Sequence, residues 1–280
     1  MDVGIKTAND QFQSVTTTER TAITSPVVGQ CVWDSTLRQL MVYMNATTGN
    51  AWQPIGNSIV CASTTRPVTP FEGQQIYETD TNRSWTYNGA AFVPNDNVFT
   101  NEAARDAAIT SPTEGMQVYL TAPTVPAGTG STSTQVPSGV RTIYNGSVWV
   151  CVTPVGARAN VSATTTSTSY VSTLTSDGTS VSVTLVTGTT ALVQFHCTGV
   201  GSTASTTFLT FAVSGATTLA AADEQADRDV VESLGRQVGI NRSLIQDGLT
   251  AGTNTFTLNY RTDGGTMEYL RRNLIVTGIA

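Results

Sequence analysis

The sequence predicts an all-β protein, an N-terminal array of short β-hairpin repeats followed by a C-terminal jelly-roll β-sandwich. Three observations carry that expectation. The 280 residues include 50 Thr and 23 Ser but only 12% charged residues, against about 25% in an ordinary globular chain. Thr is β-branched and fits a half-buried pleated surface. A phrase built on Pro-x-x-Gly recurs three times in the first half, and the second half alternates apolar and hydroxyl residues with the period of two that a strand requires.

The elements follow in chain order. Residues 1–16 are polar, lack a periodic apolar face and cannot build a core, so this segment is expected to dock on another protein. The repeats are assigned to residues 17–56, 57–97 and 98–158. Their glycines, Gly29, Gly73 and Gly115, fall 44 and then 42 residues apart. Each follows a proline by three residues (Pro26, Pro70, Pro112) and precedes an aromatic by four (Trp33, Tyr77, Tyr119). Proline fixes φ and glycine reaches φ > 0, so the phrase reads as a turn that feeds a strand. Tyr43 and Tyr87 lie 14 residues after their glycines and Tyr144 lies 29 after Gly115, which gives the third copy a 15-residue insertion. Its run 122–131 reads as a flexible polar loop.

After each tyrosine come an Asn, a Gly, an aromatic and a Pro: Asn45, Gly49, Trp52, Pro54; Asn88, Gly89, Phe92, Pro94; Asn145, Gly146, Trp149, Pro154. Asn88-Gly89 and Asn145-Gly146 suit a type I′ hairpin turn. A unit of about 40 residues buries too little surface to fold alone. The recurring aromatics are therefore expected inward, as a small repeated core, rather than as a platform for glycan stacking. Arg20, Arg66 and Arg105 also recur and are expected to cap or pair within their units.

Residues 159–280 form the expected jelly-roll head. Val181, Val183 and Leu185 alternate with Ser180, Ser182 and Thr184, and Phe256, Leu258 and Tyr260 alternate with Thr255, Thr257 and Asn259. Asp177-Gly178, Thr187-Gly188, Ser214-Gly215, Ala251-Gly252 and Asp263-Gly264-Gly265 punctuate the runs 191–197, 206–213, 254–261 and 267–279. Short strands at this spacing predict a sandwich. Residues 220–235 fit a helix or a loop and strand equally well. They hold the one acid cluster, Asp223, Glu224, Asp227, Asp229 and Glu232, which lacks the calcium-loop pattern and reads as solvated surface.

The chemistry expected of this chain is sparse. Lys6 is the only lysine, and the 13 arginines form no basic stripe, so no nucleic-acid partner is expected. No apolar run approaches a membrane span, and the first 14 residues carry acids and amides where a Sec-type signal has an apolar region. Cys31, Cys61, Cys151 and Cys197 are too scattered for a zinc site and read as small buried hydrophobes in a reducing compartment. His196 is the only histidine and falls in a strand. No nucleophile elbow or phosphate-cradling loop appears. The chain is expected not to be an enzyme and to hold no metal or cofactor.

The units Arg105-Asp106-Ala107-Ala108-Ile109-Thr110-Ser111-Pro112-Thr113-Glu114-Gly115-Met116-Gln117-Val118-Tyr119 and Tyr144-Asn145-Gly146-Ser147-Val148-Trp149 resemble the short β-repeats of tailed-bacteriophage tail fibres and minor tail proteins. Residues 211–218, 248–261 and 272–277 resemble their C-terminal heads, which are similar to tumour-necrosis-factor-like jelly rolls. Together the two resemblances cover residues 17–280. They imply a homotrimeric virion surface protein, made in the bacterial host cytoplasm and carried on the tail or capsid. The implied contacts are other virion structural proteins, through the N-terminal segment, and a host cell-surface glycan during adsorption. The family has no shared site motif, so no residue role carries over. Two alternatives stand beside this reading, a capsid decoration spike and a carbohydrate-binding adhesin module. No collagen-like or heptad shaft is present, which makes the expected particle a stubby spike.

Overall fold

Each repeat folds as a four-stranded sheet, and the same hydrogen bonds recur in all three copies. The computed structural model describes residues 13–36, 39–46, 49–55, 58–95 and 97–280. The first sheet holds β1 (Gln13–Val15), β2 (Cys31–Asp34), β3 (Gln39–Ala46) and β4 (Gly49–Pro54), in that order. The second holds β5 (Ser58–Cys61), β6 (Gln75–Glu78), β7 (Arg83–Tyr87) and β8 (Phe92–Pro94). In each, the first strand runs parallel to the second, and the remaining pairs are antiparallel. A parallel pair needs a crossover, and here a single helical turn supplies it: α1 (Thr17–Thr21) in the first copy and a 3₁₀ turn at Ser63–Thr65 in the second. Thr16 caps α1 by accepting from Glu19 N, while Glu19 accepts from Thr16 N, a capping box. Residues 13–16 thus belong to the first repeat rather than to a docking segment, and residues 1–12 of that expected segment lie outside the described residues.

The Pro-x-x-Gly phrase makes one turn three times. Gly29, Gly73 and Gly115 take φ of +89°, +83° and +83°, and their N–H groups donate to the carbonyls of Tyr43, Tyr87 and Tyr144 at 2.7, 2.8 and 2.8 Å. Positive φ at the third turn position is the type II geometry, and a Cβ there would be strained. The Asn-Gly turns depart from the expected I′ form. Only Gly89 and Gly146 have positive φ, +93° and +88°, so these turns follow the II′ pattern. The Asn88 and Asn145 side chains accept from the next backbone N–H groups and hold them.

The chain divides into two compact units, Met1–Asp96 and Asn97–Ala280. The second contains the third repeat: β9 (Val98–Phe99), α2 (Glu102–Ala108), β10 (Gln117–Leu120), β13 (Val140–Tyr144) and β14 (Trp149–Cys151), with the same parallel and antiparallel pattern. Between β10 and β13 the insertion is not a flexible loop. It forms β11 (Ala127–Thr129) and β12 (Ser133–Gln135), which pair onto the edges of the two head sheets. Its Gly- and Thr-rich composition suits an edge strand as well as a loop, and the two open edges decide the outcome.

The remaining strands are β15 (Val155–Ala159), β16 (Ala163–Thr165), β17 (Ser182–Thr187), β18 (Thr190–Gly201), β19 (Ser205–Gly215), β20 (Asp227–Val231), β21 (Gln237–Gln246), β22 (Gly252–Thr262) and β23 (Met267–Ile279). They form two sheets of order β11-β17-β22-β19-β20 and β12-β15-β23-β18-β21, with β16 beside β23. This interleaved order is a jelly roll, and the fold is all-β as the sequence predicts. Val181, Val183 and Leu185 are fully buried, as are Phe256, Leu258 and Tyr260. Phe211 joins the sheets by packing on Phe195 (6.1 Å between centroids) and Phe256 (5.8 Å). The ambiguous segment at 220–235 is loop followed by β20 rather than helix.

The boundary expected at 158/159 falls inside β15, which pairs with β23 from Val155↔Val276 to Ala159↔Arg272. The contact division falls at 96/97 instead. The cause is a shared core: Phe99, Val118, Leu120, Val140, Trp149 and Cys151 of the third repeat lie in one buried cluster with Leu185, Val193 and Phe256 of the head.

Candidate functional site

Among the described residues, the groups usually tied to catalysis do not converge. All four cysteines are free. Burial pushes the Cys151 thiol up to about 11 and raises that of the fully buried Cys197 as well, so neither is a thiolate at neutral pH. His196 is half-buried on β18, in register between Asn241 and Asn273. The acid cluster disperses among separate partners. Asp223 accepts from Tyr170 Oη (2.6 Å) and Arg261 (2.7 Å), Asp227 from Asn241 N (2.9 Å), and Glu232 pairs with Arg236. Among the described residues no group of three or more His, Cys, Asp or Glu is placed to hold a metal, and no helix is long and apolar enough to cross a membrane.

The recurring arginines do pair within their units, and their partners are acids the sequence reading missed. Arg20 is the fourth residue of α1; its Nε donates to Asp34 Oδ2 at 2.8 Å, and Asp34 is fully buried on β2. Asp34 also accepts from Thr17 Oγ1 (2.9 Å) and Thr36 N (3.0 Å). In the second copy Arg66 Nε pairs with Glu78, likewise fully buried at the end of β6, and stacks over Trp85 at 4.3 Å. The third copy breaks the rule. The matching strand end is Leu120, and Arg105 Nε turns instead to Asp106, the next residue on α2 (2.8 Å). The Arg105 side chain remains 7% exposed and stacks over Trp149 at 4.8 Å, while Asp106 is 58% exposed.

The aromatics divide into two sets. Tyr43–Trp52, Tyr87–Phe92 and Tyr144–Trp149 are cross-strand pairs with centroids 5.4, 5.2 and 5.3 Å apart, the small packed clusters expected of them. Trp33, Tyr77 and Tyr119 contradict the inward assignment. They are 42%, 37% and 45% exposed, because strand alternation gives the inward positions to Val32 and Asp34, Ile76 and Glu78, Val118 and Leu120. Each therefore stands at one register on the open face of its sheet, with Val60 beside Tyr77 and Val98 beside Tyr119.

In the second unit a cavity of about 290 Å³ opens where the third repeat meets the sandwich. Glu102, Arg105, Asp106, Leu120 and Trp149 line it from the repeat, Val186 and Thr253 from the head. Glu102 is held by Thr124 N (2.9 Å), Thr124 Oγ1 (2.8 Å) and Val125 N (2.9 Å). Burial alone would raise its pKa, but these donors outweigh it and hold the carboxyl below the usual range. Deeper in the head, the fully buried Arg272 pairs with Asp177, which also accepts from Ser131 Oγ at 2.7 Å.

No family model matches the chain, and no curated protein matches it by sequence. Solved structures similar in shape include the tumour necrosis factor Eiger from S. frugiperda, at 12% identity and a TM-score of 0.30, over 45% of this chain and 92% of that one. Another is the CBM22-1–GH10 modules of xylanase 10B from Clostridium thermocellum with xylohexaose, at 11% identity and a TM-score of 0.24, over 45% of this chain and 26% of that one. Likenesses of this size carry no argument about function, and the jelly-roll assignment rests on the strand order.

Proposed function

We propose that this protein is a non-enzymatic, homotrimeric surface component of a tailed bacteriophage, carried on the tail or capsid and engaged in host adsorption. One observation carries the adsorption part: Trp33, Tyr77 and Tyr119 repeat an outward aromatic at one register on three successive sheets. An exposed aromatic ring gives a sugar an apolar face to stack on, and three copies per chain raise weak contacts by avidity. Self-association has its own support on the outer sheet face around β18, where Arg158 of β15, beside Asn273, is the charged neighbour. Leu192, Gln194 and His196 on the outer side of β18 lie in register with Ile275 and Asn273 of β23 and Ile245 of β21. Ile245 is 63% exposed there, and a charge-depleted patch with apolar residues suits a protein partner.

Light scattering of the full chain is expected to report three times its 29.5 kDa; a monomer at micromolar concentration overturns the trimer. The purified chain is expected to bind host cells and compete with whole particles, and Ala at positions 33, 77 and 119 together is expected to abolish competition while leaving the trimer intact. If the chain neither binds nor competes, and particles lacking it adsorb normally, the capsid decoration reading replaces this one.

A further inference from the structure

We infer that the cavity beside Arg105 is a binding site for a single uncharged sugar ring. The site is separate from the outward aromatics, so its failure leaves the adsorption reading standing. The argument starts from the chain's own repeats. In the first two, the arginine faces a fully buried carboxylate on the second strand, Asp34 or Glu78. In the third, Leu120 replaces the acid and the neutralising charge moves to the exposed Asp106. The guanidinium stays buried against Trp149, and its Nη groups donate to no described residue. The corner opens into about 290 Å³.

The walls select the ligand. Arg105 offers fixed donors; Glu102 and Asp106 offer fixed acceptors; Leu120, Val148 and Val186 supply apolar surface. Groups that both donate and accept, which are hydroxyls, satisfy such a mixture. Two carboxylates against one guanidinium disfavour an anion, and the buried guanidinium disfavours a cation. The apolar walls suit the C–H face of a ring. Ligand pockets begin near 300 Å³, so this one holds one ring rather than a chain of them.

Ligand-observed NMR and calorimetry on the full chain, with D-glucose, D-galactose and their methyl glycosides as neutral probes, test the site. D-glucuronate and inorganic phosphate serve as charged probes. Saturable binding of at least one neutral sugar is expected, with the charged probes about tenfold weaker or worse. Leu120→Glu restores the acid of the other repeats and occupies the guanidinium, and is expected to weaken sugar binding about tenfold or more, the loss of a charge-assisted hydrogen bond. Val148→Phe, at the half-exposed turn, fills the cavity without a buried charge and covers the case in which glutamate at 120 does not fold. Absence of neutral-sugar binding, glucuronate or phosphate binding as tightly as the sugars, or unchanged binding in a folded Val148→Phe protein each overturns the inference.

Discussion

The first repeat can be rebuilt on the plan of the third, and the energetics of the arginine clamp predict what happens. Asp34 is fully buried, and the Arg20 side chain is 10% exposed. Asp34→Leu copies the third repeat's Leu120 and leaves Arg20 without its acid. Removing one partner of a buried pair costs about 3–5 kcal/mol. A buried leucine returns roughly 1.5–3 kcal/mol, so the net loss should be about 2 kcal/mol, near 30-fold in the local opening equilibrium. Thr21 is the residue after Arg20, where the third repeat has Asp106 after Arg105. Adding Thr21→Asp to Asp34→Leu completes the copy and should recover about 1 kcal/mol, the upper end for a half-exposed pair. Hydrogen exchange in the full chain reads this directly. Amides of β2 and β3 should exchange faster in the single variant and partly recover in the double, while those of β13 and β14 stay unchanged. If Asp34→Leu leaves β2 and β3 protection as it was, or Thr21→Asp makes the loss worse, the arginine clamp is not what holds the repeat.

The remaining predictions concern other parts of the molecule. In the native protein at mildly alkaline pH, a thiol reagent should label the half-buried Cys31 and Cys61 and spare Cys151 and Cys197 until the chain unfolds; mass spectrometry of labelled peptides checks the order. Burial pushes the Asp177 carboxyl up, but Ser131 and Arg272 outweigh it and hold its pKa below the ordinary 3.8. Its stabilisation is then fully present above that value and is lost as pH falls through the depressed pKa. The stability gap between wild type and Asp177→Asn, read by urea unfolding, should therefore narrow only below about pH 4; a gap that narrows between pH 7 and 5 contradicts the assignment. A fragment beginning at residue 97 should fold. One beginning at residue 160 should not, because it lacks β11, β12 and β15 from the two head sheets; circular dichroism and solubility distinguish them.

The head was legible in the sequence because its strands alternate cleanly: nothing but a strand places Val181, Val183 and Leu185 on one side and hydroxyls on the other. The repeats were legible as repeats and as turns, since Pro-x-x-Gly has a backbone meaning of its own. Their faces were not. In β2 the choice lay between Cys31 with Trp33 and Val32 with Asp34, and hydrophobicity favours burying the tryptophan. The opposite face wins because Arg20, 14 residues earlier, neutralises Asp34, a pairing that local pattern does not reveal. The same long-range logic hid the insertion, whose composition fits a loop and whose pairing depends on sheet edges far away in the chain. For the candidate site, the recurring arginines and the outlying Leu120 stand in the sequence, but the cavity exists only once Val186 and Thr253 arrive from the head.

The third repeat differs from its siblings for a reason that joins these observations. Its second strand ends at Leu120, and its fourth strand carries Trp149, Val150 and Cys151, all buried in or beside the core shared with the sandwich. A carboxylate at position 120 would face that apolar core, and burying an acid there costs several kcal/mol unless its partner and further donors are all in place. Leucine avoids the cost, and the arginine, still required to stack on Trp149, takes its counter-charge from the exposed side of α2. The insertion completes the junction by adding β11 to one head sheet and β12 to the other, which leaves short three-residue strands at those edges in place of β17 and β15. The third copy is thus a repeat on its outer face and a part of the head on its inner one, and the imperfect fit between those two roles is what leaves the cavity open.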